Sequence, residues 1–248
     1  MPEGTHVAAT RAMRIAATAD LHFGKTSAGT LQPMLSQIAT VAEALVIAGD
    51  LTDYGHPEEA RALVKDLTTT ARIPIVAVLG NHDFESGAEQ EIRQILVDAG
   101  VQVLDGDSCE VNGIGFAGVK GFAGGFGRGV LGPWGEQVTK MFVHEAVNET
   151  LKLESALARL RTERKVVLLH YAPTEGTVEG VPREIYPYLG RGRLAQPLGR
   201  YGVTAVVHGH AHKGSLDGHT STNIPVYNVA LPLMRRTSPD QPFRILDI

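Results

Sequence analysis

The chain has 248 residues, 43% of them hydrophobic and 20% charged, proportions that exclude a fibrous, collagen-like or disordered protein. A formal net charge of −4 with pI near 6.2 gives no global positive field, so strong nucleic-acid binding and membrane association are not expected. The lone Cys109 excludes an internal disulfide and fits a reducing compartment.

Residues 1–14 lack the apolar core of a secretory signal, and no apolar run reaches the roughly 20 residues of a membrane span, so a cytoplasmic location is expected. Residues 1–12 read as a loose N-terminal segment of one domain covering residues 1–248, a length that one α/β unit can fill. Apolar runs at residues 15–19, 44–48 and 75–79 predict strands buried on both faces. Between them, residues 31–42 and 57–70 have helical character, the second opening on Pro57 at a first helical position. Asp20 to Asp50 is 30 residues and Asp50 to Asn81 is 31, about one strand-helix-strand unit each, which predicts parallel packing.

Helices are expected at residues 87–99 and 136–161, and further buried strands at 166–169 and 203–207. Residues 108–112, 115–119, 215–220, 225–229 and 243–248 read as shorter strands, expected to be antiparallel. Ten of the 23 residues from 113 to 135 are glycine, which predicts a loop, either a connector or a segment facing substrate.

Polar clusters close each of the five principal strands, where ligand sites form in parallel sheets. Asp20-Leu21-His22 follows the first, Gly49-Asp50 the second, Gly80-Asn81-His82-Asp83 the third, His170 the fourth and His208-Gly209-His210-Ala211-His212 the fifth. Such mixed imidazole and oxygen donors suit Mn²⁺ first, with Fe, Zn²⁺, Co²⁺ or Ni²⁺ as alternatives. A pair of cations needs a ligand with two oxygens between them, a role that suits the Asp50 carboxylate.

The series D-x-H, G-D, G-N-H-D, a single His and G-H-x-H resembles the calcineurin-like metallophosphoesterase superfamily, over Asp20 to His212. The resemblance implies a β-sandwich of mixed sheets flanked by helices, within the α/β class. It also implies one cation on Asp20, His22, Asp50 and His212, and a second on Asp50, Asn81, His170 and His210. The implied activity is hydrolysis of a small or nucleotide-like phosphomonoester or phosphodiester by a metal-bridging hydroxide. His82 would assist as acid or electrostatic catalyst, oriented by the Asp53 carboxylate, as in some branches of the family. Two alternatives are a nuclease, which the acidic balance and lack of basic runs oppose, and a non-catalytic scaffold, which the intact ligand set opposes.

Other residues are weaker candidates. His208 ends an apolar strand and reads as a satisfied or supporting histidine, and His6, His56, His144 and His219 read as surface. Trp134, Phe122 and Phe126 are expected either to stack on substrate or to anchor their loop. Residues 171–193 leave directly from His170 and are expected to overhang the cations, with Arg183, Arg191 and Arg193 as candidates for a second phosphate or carboxylate and Asn228 as a further candidate.

Overall fold

The computed structural model describes residues 12–70 and 72–248, so that His6 and the expected loose segment, apart from residue 12, lie outside the described residues. The chain begins as β1 (Arg14–Thr18), α1 (Gln32–Val41), β2 (Ala44–Ala48), α2 (Pro57–Thr70), β3 (Ile75–Val78) and α3 (Glu89–Asp98). It continues through β4 (Gln102–Val103), β5 (Asp107–Val111), β6 (Ile114–Val119), the long α4 (Gln137–Arg159) and β7 (Arg164–Leu169). Two short helices, α5 (Tyr186–Leu189) and α6 (Gln196–Arg200), precede β8 (Ala205–His208), β9 (Asp217–His219), β10 (Pro225–Asn228), α7 (Leu231–Thr237) and β11 (Arg244–Asp247).

These strands form two mixed sheets. One has the order β11-β1-β2-β3-β4 and the other β5-β6-β7-β8-β10-β9. In the first, β1 to β4 are parallel and β11 is antiparallel on the outer side of β1. In the second, β6, β7, β8 and β10 are parallel, and the antiparallel β5 and β9 close the two edges. The expected mixed sandwich is therefore present. Two strands expected to be purely antiparallel, β6 and β10, instead lie inside the second sheet, each with a parallel neighbour on one side.

Alternation along the strands sends successive residues to different cores. Ile15, Ala17, Val46, Ala48, Val76 and Val78 of one sheet meet Ile114, Phe116, Val166, Leu168 and Val207 of the other between the layers. The residues in between, such as Leu45, Ile47, Ile75 and Ala77, face α1, α2 and α3. On the far side, Val167, Leu169 and Val206 face Leu153, Ala156 and Leu157 of α4 and Leu198 of α6. Covering both faces explains why these strands read as continuous apolar runs, and each buried Val, Ile or Leu contributes about 1.5–3 kcal/mol. In α2, Pro57 and the acids Glu58 and Glu59 favour the N-terminus, and Ala60, Leu63 and Leu67 form the buried stripe.

The strand expected over residues 115–119 is β6, so the loop expected over residues 113–135 is confined to the residues after it. Gly115 and Gly118 lie within β6, paired to β5 and β7, and a Cβ there would lie 2.3 Å from Thr162 Oγ1 and 2.6 Å from Val78 Cγ1, respectively. They are glycines of close packing rather than of flexibility. Among the described residues, no helix is long and apolar enough to cross a membrane.

Candidate metal centre

The carboxyl ends of β1, β2 and β3 from one sheet and of β7 and β8 from the other open onto the same place. Donor atoms of Asp20, His22 and His212 lie within 4.8 Å of one another, as do those of Asp50, His170 and His210. Asn81 Oδ1 joins the second group at 2.9 Å from His170 Nε2. His22 Nε2 stands 3.8 Å from Asp50 Oδ2 and 3.5 Å from His212 Nε2, which links the two groups through Asp50. The seven candidate donors are thus brought together in overlapping groups, and His22, Asp50 and His82 form a third group of the same closeness.

Local backbone makes this convergence possible at a cost. Six non-glycine residues among those described have positive φ, and four of them are Asp20 (55°), His22 (41°), Asp50 (48°) and His210 (67°). A left-handed conformation is unfavourable for residues with a Cβ, so this strain is concentrated where the strands turn to present donors. The motif glycines have a complementary role. A Cβ on Gly49 would lie 2.4 Å from His170 Nδ1, one on Gly80 2.2 Å from Asp50 Oδ1, and one on Gly209 2.4 Å from Asp20 Oδ2. Each ligand therefore crosses the bare backbone of a neighbouring strand end.

Hydrogen bonds then fix the donors. Both carboxylate oxygens of Asp20 accept from the His210 N–H at 3.0 Å, and Asp50 Oδ1 accepts from the His82 N–H at 2.8 Å. The loops after β1 and β2 run along each other through Asp20 N to Gly49 O, His22 N to Asp50 O and Phe23 N to Leu51 O. Three histidines each use one ring nitrogen on an outer oxygen. His170 Nδ1 donates to Ala48 O at 3.0 Å and His210 Nε2 to Tyr188 O at 3.1 Å, while His22 Nδ1 is 3.4 Å from Asp53 Oδ1. That leaves the inward lone pairs of His170 Nε2, His210 Nδ1 and His22 Nε2, the arrangement of metal-binding imidazoles with supporting acceptors. The donor set fits two divalent cations.

Charge follows the same pattern. Burial alone would raise the Asp50 carboxyl, but the facing His170 and the His82 N–H hold it below the ordinary carboxylate range. His170 is opposed by burial yet pushed up to about 9 by Asp50 and Asp20, whereas burial takes His210 down to about 4.

The structure corrects the partner of His82. Its Nδ1 donates to the main-chain oxygen of Asp53 at 2.7 Å and lies 3.5 Å from Glu85 Oε2, while the Asp53 carboxylate faces His22. The expected carboxylate pairing is replaced because the turn after Asp50 presents the Asp53 carbonyl, not its side chain, to His82. The ring of His82 packs edge-on against that of His22 with centroids 4.5 Å apart.

Two supporting residues were not assigned in the sequence. Asp83 is fully buried and accepts from Gly80 N, Leu51 N, Thr52 N and Thr52 Oγ1, tying the β2 and β3 loops together. Burial, with the nearby Asp50, pushes its carboxyl up to about 6. The only signal was its place as the last letter of Gly-Asn-His-Asp. Asn228, expected as a candidate for substrate contact, is instead buried; its amide donates to Ala211 O at 2.8 Å and its Oδ1 accepts from Ala230 N, which braces the loop carrying His210 and His212. His208 has the expected supporting position, with Nε2 2.8 Å from Thr177 Oγ1. His144 and His219 are exposed, as expected, and His56 is half-buried at the start of α2.

Phe122 packs on Phe142 and Tyr171, and Phe126 is buried against Tyr186, so both anchor the loop rather than await a ligand. Trp134 remains 66% exposed. Residues 171–193 overhang the site as expected, through the contact of Tyr188 O with His210. Arg183 and Arg193 point to solvent, and Arg191 is buried.

The sequence model of the calcineurin-like phosphoesterase family matches residues 13–214. No curated protein matches the chain. Among solved structures, phosphopantetheinyl hydrolase (PptH) from Mycobacterium tuberculosis superposes with a TM-score of 0.69 at 17% identity, covering 96% of this chain and 97% of that one. TT1561 of Thermus thermophilus superposes with a TM-score of 0.53 at 15% identity, covering 95% and 99%. At these identities the likeness establishes a shared fold.

Proposed function

Because the chain belongs to the calcineurin-like phosphoesterase family, whose members are divalent-metal-dependent hydrolases, we propose that it hydrolyses a small phosphomonoester or phosphodiester. One cation would be held by Asp20, His22, Asp50 and His212 and the other by Asp50, Asn81, His170 and His210, with manganese the first choice for this mixed donor set. The observation that carries the reading is the meeting of these seven donors, four of them on strained backbone and three of the imidazoles with their outer nitrogen already on an oxygen.

When bound, such cations supply Lewis-acid polarisation of a phosphoryl group and acidify water. The remaining work falls to this chain's own residues. Asp50, buried and held ionised, keeps the two donor groups in fixed relation. His82, with Nδ1 committed to the Asp53 carbonyl, offers Nε2 to the substrate's leaving oxygen, to protonate it or stabilise its charge. The substrate is a small phosphorylated molecule rather than a nucleic acid, in keeping with the net charge of −4.

The test is a screen of purified, manganese-loaded protein against panels of phosphate monoesters and diesters, with elemental analysis of the same sample. Turnover of at least one ester, with two ions per chain, is expected. A protein that takes up no divalent metal, or takes it up and cleaves nothing, overturns the reading.

A further inference from the structure

Arg191 is the charged residue of the overhang that the metal centre does not explain. It is only 2% exposed, and Nε and Nη1 have no hydrogen-bond partner among the described residues. Nη2 reaches Leu131 O at 3.4 Å, too long to count as a strong bond. Among the described residues no carboxylate lies within ion-pair distance; burial first, and then the like charge of Arg193, lowers its proton affinity. A guanidinium cannot neutralise itself by losing a proton, so a covered one without an anion is an expensive arrangement.

The cover is thin. A Cβ on Gly124 would sit 2.8 Å from Arg191 Nη1, so the guanidinium lies against bare backbone that only glycine can supply. That backbone closes on itself through Leu131 N to Gly124 O. Leu131 also joins Val138, Thr139, Phe142, Glu184, Pro187 and Tyr188 in lining an open cleft of about 450 Å³. Tyr188 in turn gives its carbonyl to His210. Two residues of the cleft wall, Leu131 and Tyr188, thus touch Arg191 and His210 respectively through their main-chain oxygens.

We propose that Arg191 anchors a second oxyanion of the substrate, a phosphate or a carboxylate carried away from the scissile phosphate, which replaces the Leu131 carbonyl on the guanidinium. This rests on the phosphoesterase reading and narrows it: the preferred substrate is a phosphoester with a second anionic group, and the fork of Arg191 receives that group through two N–H donors.

Three simple alkyl phosphoesters test it, one with a neutral end, one ending in a carboxylate and one in a second phosphate. The wild-type protein is expected to favour at least one anionic ester over the neutral one in kcat/KM. Arg191→Met should lower that ratio about 10- to 100-fold, the loss of charge-assisted hydrogen bonds, and Arg191→Lys should restore part of it. Which anionic arm responds separates phosphate from carboxylate. An unchanged ratio in both arms overturns the proposal.

Thermal melting of the EDTA-treated full chain gives a readout free of turnover. Without added anion, Arg191→Met should melt no lower than wild type, because it removes an unpaired cation. Sulfate or malonate should raise the wild-type midpoint and leave that of the variant in place; equal shifts in both count against Arg191. If none of the esters is cleaved, hydrolysis is refuted, and the melting arm still decides the anion site.

Discussion

The strand-end cluster and the overhang above it touch through the Tyr188 carbonyl on His210 and the Tyr171 ring, 4.5 Å from that of His210, and are built on opposite terms. In the cluster, strained backbone and buried charge are matched: Asp20, Asp50 and His170 all have partners, and none of the seven donors has a buried side-chain atom left without one among the described residues. In the overhang, regular elements are short, glycine replaces side-chain packing, and a buried arginine is left unmatched. The comparison suggests a division of labour. A rigid sandwich fixes donors to the tolerance that cations require, while a thin, adaptable layer is free to select what is brought to them.

The largest effect on this contrast should come from Asp50→Ala. It removes the carboxylate that faces both donor groups, so turnover of any ester found for the wild type should vanish and most bound metal should be lost. Full activity with two ions per chain would show that Asp50 is not the link. His82→Ala ranks next. Its side chain stands beside the cluster, so the rate should fall by about 10² to 10⁴ with metal content unchanged. Loss of metal would move His82 into the ligand set, an arrangement that the proximity of His22, Asp50 and His82 makes worth measuring.

A smaller effect separates the structure from the expectation it replaced. With the Asp53 carboxylate on His22, Asp53→Ala should weaken metal binding about 10- to 100-fold, the usual range for a residue that orients a ligand, and activity should return at saturating metal. A rate loss like that of His82→Ala, persisting at saturating metal, would instead restore the carboxylate to His82.

The same contrast runs between what sequence could and could not convey. The candidate donors were legible because they follow the ends of buried strands, and apolar runs followed by Asp, Asn or His mark both the element and its end; strand order then brings the ends together. The direction of a side chain within a turn was not legible, which is why Asp53 was placed on the wrong histidine. Nor was the use of a buried carboxylate such as Asp83, whose partners are main-chain N–H groups that leave no mark in residue type. Gly115 and Gly118 drew both a strand and a loop reading for a related reason, since composition cannot separate a glycine that bends from one that is crowded by Val78 or Thr162. The short helices α5, α6 and α7 fell below the length at which periodicity speaks.

The smallest effect concerns the one hydrogen bond described between the two regions. Tyr188 is 64% exposed, and what it gives the cluster is its main-chain oxygen, which every residue type possesses. Tyr188→Ala should therefore keep the tautomer of His210 and with it the metal stoichiometry, and should shift stability by no more than about 0.5 kcal/mol, as for other exposed side chains. Gly190→Ala, two positions on, should do more: its Cβ would lie 2.1 Å from Ala172 O, so the segment must lift and draw the Tyr188 carbonyl away from His210. Metal affinity measured on both variants ranks them. If Tyr188→Ala loses the metal and Gly190→Ala does not, the tyrosine side chain is what holds the overhang in place, and the division between a fixed edge and a selective cover has been drawn one residue too far from the centre.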